Sequence, residues 1–430
     1  MLNGWHLWLT SLTWDEVATL LLGMSLLDGP RYCVATAFTC IYDWVFGIWR
    51  SLFSKQPEAE FSHCPSVCVM VVGLNEASGL GATIESIIGT YPRLEVVVVD
   101  DGSDDNMAEV GRAYAGQHPG IVKVLSRPWR GGKSSALNIA ATHTSAEIVI
   151  CVDADSHLAS DAIWEIVQPF RDANVGAVSA TVSVRNCFTN FVTWFQGLEY
   201  LQSIFVGRLV AARLNVLPIA SGALAGFRRE LLVRLGGWDV GPGEDLDMTV
   251  RIRRLGYRVT FAQYAFCHTE APTTWKALLK QRRRWEGDGP VRHFARKHVD
   301  MAKPWHRDFR LSNMFMFLDG ITFNLLCGYG MVIWSVMMLL HPDMRPHPYA
   351  WMTFYIVSVI AEVIALGPLM YYSRNRKHDA IVALAFPLMP AYRMLLLGVR
   401  IFSNTAEILW RKSFTEPHVP PHVRAVTWRW

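Results

Sequence analysis

Glu95-Val96-Val97-Val98-Val99-Asp100-Asp101-Gly102-Ser103 is four valines running into two carboxylates and a glycine turn. Unbroken valine fits a strand buried on both faces, which is the habit of parallel sheets. Carboxylates at a strand's C-terminal end lie where open α/β sheets bind ligands. Similar short β-branched runs occur at Val67–Val72, Ile121–Leu125 and Glu147–Asp153. Helical patterns separate them near Ser78–Thr90, Asp105–Gly116 and Ser134–Thr142. Strands alternating with helices predict βαβ units, a mostly parallel sheet and a Rossmann-like α/β domain over residues 61–265.

The flanks have a different character. The chain has 430 residues, 51% hydrophobic and 18% charged, with mean hydropathy +0.19. Soluble chains carry roughly 25% charge, so the balance points to a membrane protein. A net charge of +4 gives no case for nucleic-acid binding, and suits a surface lying on anionic lipid. The eight cysteines have no zinc-like spacing and read as core thiols in a reducing compartment.

Residues 1–60 are expected to hold an interfacial helix and a spanning helix, Tyr32–Trp49, whose Asp43 faces protein. Residues 266–310 are basic and aromatic and predict amphipathic helix at a membrane surface. Residues 311–402 hold Met314–Leu340 and Ala350–Tyr372, both long enough to span. Ala380–Val399 carries Pro387, Pro390 and Arg393 and reads as a broken or interfacial helix. The basic loop Ser373–Lys377 is then cytoplasmic and Pro342–His347 lies outside. Residues 403–430 read as a surface tail.

Several motifs can carry chemistry, and each has a plainer reading. Asp100-Asp101 can hydrogen-bond a base and ribose, or simply make a turn. Asp153-Ala154-Asp155 offers hard oxygens for Mg²⁺ or Mn²⁺, or a solvated acidic turn. Gly131-Gly132-Lys133-Ser134 opens a helix whose amides and lysine could hold an anion. It is not a Walker motif, because Arg127 stands where the first glycine is needed. In Gly243-Glu244-Asp245, Asp245 is the candidate general base, with Glu244 beside it; both also suit the first turn of a helix. Ser221-Gly222-Ala223 offers small residues for close approach, or a tight turn. His268 could ligate a metal, or serve the fold. Gln281-Arg282-Arg283-Arg284-Trp285 offers guanidinium forks for phosphate and a ring for stacking on sugar. Alone, it reads as a lipid-facing helix.

Taken in order, Asp100-Asp101, Asp153-Ala154-Asp155, Gly243-Glu244-Asp245 and Gln281–Trp285 resemble processive members of glycosyltransferase family 2. These include the cellulose, chitin, hyaluronan, mixed-linkage glucan and poly-N-acetylglucosamine synthases. The resemblance covers about residues 61–300. It implies a GT-A fold on the cytoplasmic side of a bacterial inner membrane. It implies an inverting transfer from a UDP-sugar to a growing glycan, with Mg²⁺ or Mn²⁺ and possible periplasmic export partners. By position, Asp100 and Asp101 would hold uridine, Asp153 UDP and Asp155 the metal. Asp245 would be the base, Gln281, Arg284 and Trp285 would grip diphosphate and acceptor, and Lys133 would touch the nucleotide. The chain departs from the pattern at Leu74, where a tyrosine is usual, and in reading Gly-Glu-Asp rather than Thr-Glu-Asp. Within these residues no PilZ domain is expected on the C-terminal side.

Overall fold

A computed structural model describes residues 2–25, 37, 39–46, 63–239, 241–340, 348–412 and 419–424. Eight strands form one sheet: β1 (Val67–Gly73), β2 (Leu94–Asp100), β3 (Val122–Ser126), β4 (Ile148–Asp153), β5 (His157–Leu158), β6 (Val175–Val184), β7 (Leu224–Arg228) and β8 (Arg258–Thr269). Their order is β3-β2-β1-β4-β7-β6-β8-β5. The β3-β2-β1-β4 half is parallel, as expected. The other half is mixed: β7 runs antiparallel to both β4 and β6, β5 runs antiparallel to β8, and only β6 and β8 pair in parallel.

Val96–Val99 are fully buried, and their side chains alternate between two cores. Val97 and Val99 join Cys68, Met70 and Val72 on one face; Val96 and Val98 join Val67, Val69 and Val71 on the other. Period-two alternation with apolar residues in both registers therefore covers both faces of the sheet. Helices Ala77–Ile87, Met107–Gln117 and Lys133–Thr142 follow the first three strands. The chain turns from β3 across to β4 on the other side of β1. That reversal opens a crevice at the C-terminal ends of β1, β2 and β4, where Gly73 pairs with Asp100 and Val72 with Asp153.

Among the described residues three helical stretches are long and apolar enough to cross a membrane: Leu311–Met337, Trp351–Tyr372 and Arg376–Trp410. The third contains the break expected in Ala380–Val399: helix Arg376–Ala383 gives way to a short 3₁₀ turn, Phe386–Leu388, around Pro387, and then to helix Met389–Trp410. The tail expected from residue 403 is helical to Trp410. Beyond it Val419 and Val423 are buried and Pro420 lies against Gly132, so this part of the tail packs on the α/β domain. The expected loop Pro342–His347 lies outside the described residues.

At the N-terminal side, Leu2–Ser11 and Trp14–Ser25 are helices. Much of Tyr32–Trp49 lies outside the described residues; Thr39–Phe46 is helical. There Asp43 does face protein: it accepts from Arg213 at 3.0 Å and from the Tyr372 hydroxyl at 2.7 Å. A second polar knot joins the helices. Glu362 accepts from Arg393 at 2.6 Å and Gln202 at 2.7 Å, and Arg393 also donates to Gln202 at 2.7 Å. Closing the triangle leaves neither Glu362 nor Arg393 unpaired among apolar helices. Arg374, in the basic loop after Tyr372, donates to Asp161 at 2.6 Å and Glu165 at 2.5 Å. That loop therefore lies on the same side as the sheet.

Candidate active site

Asp100 and Asp101 leave β2 into a turn completed by Gly102, whose φ is +81°. A Cβ there would meet the Trp129 and Arg130 backbone at 2.6–2.7 Å, so only glycine fits. Both carboxylates are buried and engaged within the chain. Asp100 accepts from Ser103 N at 3.0 Å and Ser126 Oγ at 2.9 Å. Asp101 accepts from Gly131 N at 3.0 Å, Gly132 N at 2.7 Å and the Arg127 guanidinium. The Gly131-Gly132 amides, expected to hold a ligand's anion, thus hold the chain's own carboxylate. Asp100 and Asp101 build the floor of the crevice in this arrangement.

Lys133, first residue of its helix, points across the crevice to Asp153 at the end of β4. Its Nζ also lies 3.9 Å from Glu244 Oε1. Burial works against the Lys133 charge, but Asp153, Glu244 and Asp245 outweigh it and raise the pKa above the ordinary lysine value. A Cβ on Gly222 would meet Lys133 Nζ at 2.8 Å, so the small residue in Ser221-Gly222-Ala223 serves close approach.

Glu244 and Asp245 open helix Glu244–Arg254. Asp245 Oδ2 accepts from Gly222 N at 3.1 Å, which fixes its rotamer towards Lys133. Burial and the Asp245 carboxylate push the Glu244 carboxyl above its usual range, and Lys133 counters them. Glu244, Asp245, Asp153 and Lys133 are therefore brought together from three separate segments.

Asp155 lies on the other side of Asp153, in a turn held by a 2.7 Å bond from Thr83 Oγ1 to Ala154 O. Burial and then Asp153 push its carboxyl up. Glu76 is pushed up too, by burial, Asp155, Asp153 and Asp105. Four carboxylates crowding one corner have more negative charge than Lys133 alone offsets. Carboxylate oxygens are the donor chemistry that suits Mg²⁺ or Mn²⁺, so Asp153 and Asp155 fit such an ion by type; among the described residues the group of three whose ligand atoms lie within 4.8 Å of one another is Asp247, His293 and His298. His268 is a sheet residue, half-buried and 2.6 Å from Ser183 Oγ, and takes no part here.

Gln281–Trp285 lies on helix Trp275–Gly287. Consecutive arginines on a helix step about 100° apart, so the three diverge. Arg282 is the buried one, 2.7 Å from Glu199, which also accepts from the Tyr392 hydroxyl at 2.6 Å. The Arg282 guanidinium lies 4.3 Å from the Trp285 ring centroid and 5.6 Å from that of Tyr200. Arg284 is exposed, Trp285 is 44% exposed, and the Gln281 carbonyl oxygen is buried with no partner. Arg208, about two helical turns beyond Tyr200 towards the base, donates to Ser179 Oγ and Ala180 O, both at 3.1 Å. Its charge acts on both Asp245 and Tyr200. Arg208, Glu199 and Tyr200 escaped the sequence reading. Their only signal was Glu199 and Arg208 standing as charges in an otherwise apolar stretch.

Residues 65–287 match the family described as "Glycosyltransferase like family 2". The chain belongs to glycosyltransferase family 2. Among curated family 2 relatives it is 29% identical over 231 residues to "Probable glycosyltransferase YdaM" of Bacillus subtilis, covering 51% of this chain and 54% of that protein. It is 26% identical over 263 residues to "Poly-beta-1,6-N-acetyl-D-glucosamine synthase" of Staphylococcus epidermidis, covering 59% and 63%. The matched part thus spans a little over half to three fifths of these relatives. Among solved structures, a mannosyltransferase from Pyrobaculum calidifontis, determined with GDP-Man and Mn²⁺, superposes with TM-score 0.59. It is 24% identical, with 92% of this chain and 99% of that one covered. The fold is GT-A-like, and the candidate spans lie C-terminal to the part that matches the family.

Behind the Gly243-Glu244-Asp245 motif lies a second polar cluster. Asp247 Oδ1 is 2.8 Å from His298 Nε2 and 2.7 Å from Lys297 Nζ, and His293 is fully buried beside them. Burial lowers the pKa of both histidines. For His293, Arg292, His298 and Lys297 add to this and Asp247 opposes it. For His298, Asp247 opposes it while Lys297 and Arg254 add. Folded-state values below the usual ~6.5 mean that the unfolded chain binds protons first as pH falls. This contribution is fully present above about pH 6.5 and is lost on acidification. The unfolding temperature in detergent is therefore expected to fall between pH 7.5 and 5.5 (about one unit either side of the histidine value). His298→Gln should flatten that slope, and an identical slope in the variant would contradict the assignment.

Proposed function

We propose that the chain is an inverting, processive synthase that builds a β-linked polysaccharide from a UDP-sugar. The product is of the poly-N-acetylglucosamine or β-glucan type, and the named relatives favour the first. The observation that carries this reading is the meeting of Asp153, Lys133, Glu244 and Asp245 at the mouth of the crevice. The Gln281–Trp285 helix stands beyond them, against a helix long enough to span.

The donor's nucleotide lies over the floor built by Asp100 and Asp101, with its diphosphate near Asp153 and Lys133. Asp155, with Asp153, would hold Mg²⁺ or Mn²⁺, which when bound supplies Lewis-acid charge beside the diphosphate. The acceptor hydroxyl oxygen attacks the anomeric carbon from the face opposite the diphosphate. As the new C–O bond forms, the bond to phosphate breaks and its electron pair leaves with UDP. The hydroxyl proton passes to Asp245, held in place by Gly222 N. Glu244 keeps Lys133 in the crevice. An α-linked donor then gives a β-linked product.

Tyr200, Arg208 and Trp285 offer the acceptor a wall of ring and guanidinium between the base and the spanning helices. Gln281 and Arg284 are placed to grip the diphosphate or the chain end. The home is a bacterial inner membrane with the catalytic domain cytoplasmic, and periplasmic partners would receive the product. Membranes incubated with labelled UDP-N-acetylglucosamine and UDP-glucose separately, followed by linkage-specific glycosidases, test the donor and linkage. Label from one donor alone, sensitive to a β-glycosidase, is expected. Label resistant to every β-glycosidase would overturn the inverting assignment.

A further inference from the structure

The helix carrying Gln281–Trp285 does not stop there. It continues from Gly287 into a π-helical stretch, Asp288–Lys297, whose last turns reach the back of the catalytic motif. Arg292 donates to the Pro242 carbonyl, and His293 Nε2 lies 3.4 Å from the same oxygen. Lys297 bridges Asp247 and Asp239, each at 2.7 Å, and His298 adds its bond to Asp247. Phe294 packs with Leu246 and Val250 in a small core shared with Met316 and Phe317. One rod therefore grips both ends of Pro242–Asp247: the carbonyl before Glu244-Asp245 and the carboxylate after them.

The rod's other end is tied to the wall and the last span: Trp285 sits 6.4 Å from the Tyr200 ring, and Arg400 donates to Glu286 at 3.1 Å. At the latch end, Arg296 donates to Glu407 O and Ile408 O at 3.2–3.3 Å. A helical element with partners at both ends is a route by which a shift at one can reach the other.

We infer that Lys297, with Arg292, His293 and His298, forms a latch that positions Asp245 and couples the base to whatever engages the Trp285 end of the rod. These are positioning residues, and the inference rests on Asp245 being the base. Asp247, His293 and His298 also form a group whose ligand atoms lie within 4.8 Å of one another. A transition metal is the competing occupant of that group. Lys297 Nζ, however, already sits at hydrogen-bond distance from Asp247 Oδ1, so the carboxylate has an ammonium partner.

The test uses the full-length protein in detergent, measuring UDP release and UDP binding for Lys297→Met, Lys297→Arg, Asp245→Asn and the Lys297→Met/Asp245→Asn double variant. Lys297→Met should lower kcat by about tenfold to a hundredfold, the scale of a small misplacement of a catalytic group. Donor KM and UDP affinity should stay within about twofold. Lys297→Arg should recover most of the rate, and Lys297→Met should cost nothing further on top of Asp245→Asn. An unchanged kcat in Lys297→Met overturns the latch. So does UDP binding lost in step with rate, or a full further loss in the double variant. A stoichiometric transition metal that persists in Asp155→Asn but is lost in His298→Gln also overturns it, in favour of a metal centre. Turnover surviving Asp245→Asn overturns the base itself, a result that Lys297→Met cannot imitate.

Discussion

Asp245→Asn is expected to lower the rate of sugar transfer by about 10²–10⁴-fold, the usual contribution of a positioned general base. Donor binding should survive. Asp245 Oδ2 is placed by the Gly222 amide at 3.1 Å, and an asparagine carbonyl can accept the same bond. The helix start loses the bond that the other Asp245 oxygen accepts from Leu246 N at 2.8 Å, but keeps the 2.7 Å bond from Thr249 Oγ1 to the Asp245 backbone carbonyl. What the substitution removes is an oxygen that can take up a proton beside the Lys133 ammonium. UDP release against time, with UDP affinity measured in parallel, separates the two. A variant that binds UDP normally and turns over normally would contradict the assignment.

Asp155→Asn should have an effect of similar size by another route. Asp155 is crowded by Asp153 and Glu76, and its only described side-chain neighbour that donates is Ser156, at 3.4 Å. Removing a second-shell partner of a metal ligand typically costs 10–100-fold in affinity or activity, so losing a direct ligand should cost about a hundredfold or more. The half-saturating Mn²⁺ concentration should rise, and excess Mn²⁺ should restore part of the rate. An unchanged Mn²⁺ dependence would place the cation elsewhere. Lys133 makes the contrast useful, because it is held by Asp153 and Glu244 and needs nothing from Asp155.

Much of the frame was legible because burial on both faces leaves a plain mark. Val96–Val99 could be little else than a central strand, and the carboxylates after it fell at the edge where ligands bind. The reversal of β7 was not legible. Leu224–Arg228 is five residues long, contains Gly226, and carries no mark of direction. Within the site, Asp245 and the Asp153 carboxylate were found by motif. Which of Arg282, Arg283 and Arg284 turns inward depends on helix phase and on Glu199, 83 residues earlier in the chain. The fate of the Gly131-Gly132 amides was hidden in the same way: a helix start is open to any anion, and the one that fills it is Asp101, about thirty residues back. The Lys297 cluster looked like part of a basic surface, and only its partner Asp247 shows that it faces inward.

Product length is the most direct measurement of the central claim. Purified protein in detergent or membranes, given Mn²⁺ and labelled UDP-N-acetylglucosamine or UDP-glucose, should yield a β-linked polymer of many sugars, and Asp245→Asn should yield none. A product carrying one added sugar on a lipid, with the Asp245-dependence intact, would contradict processive synthesis.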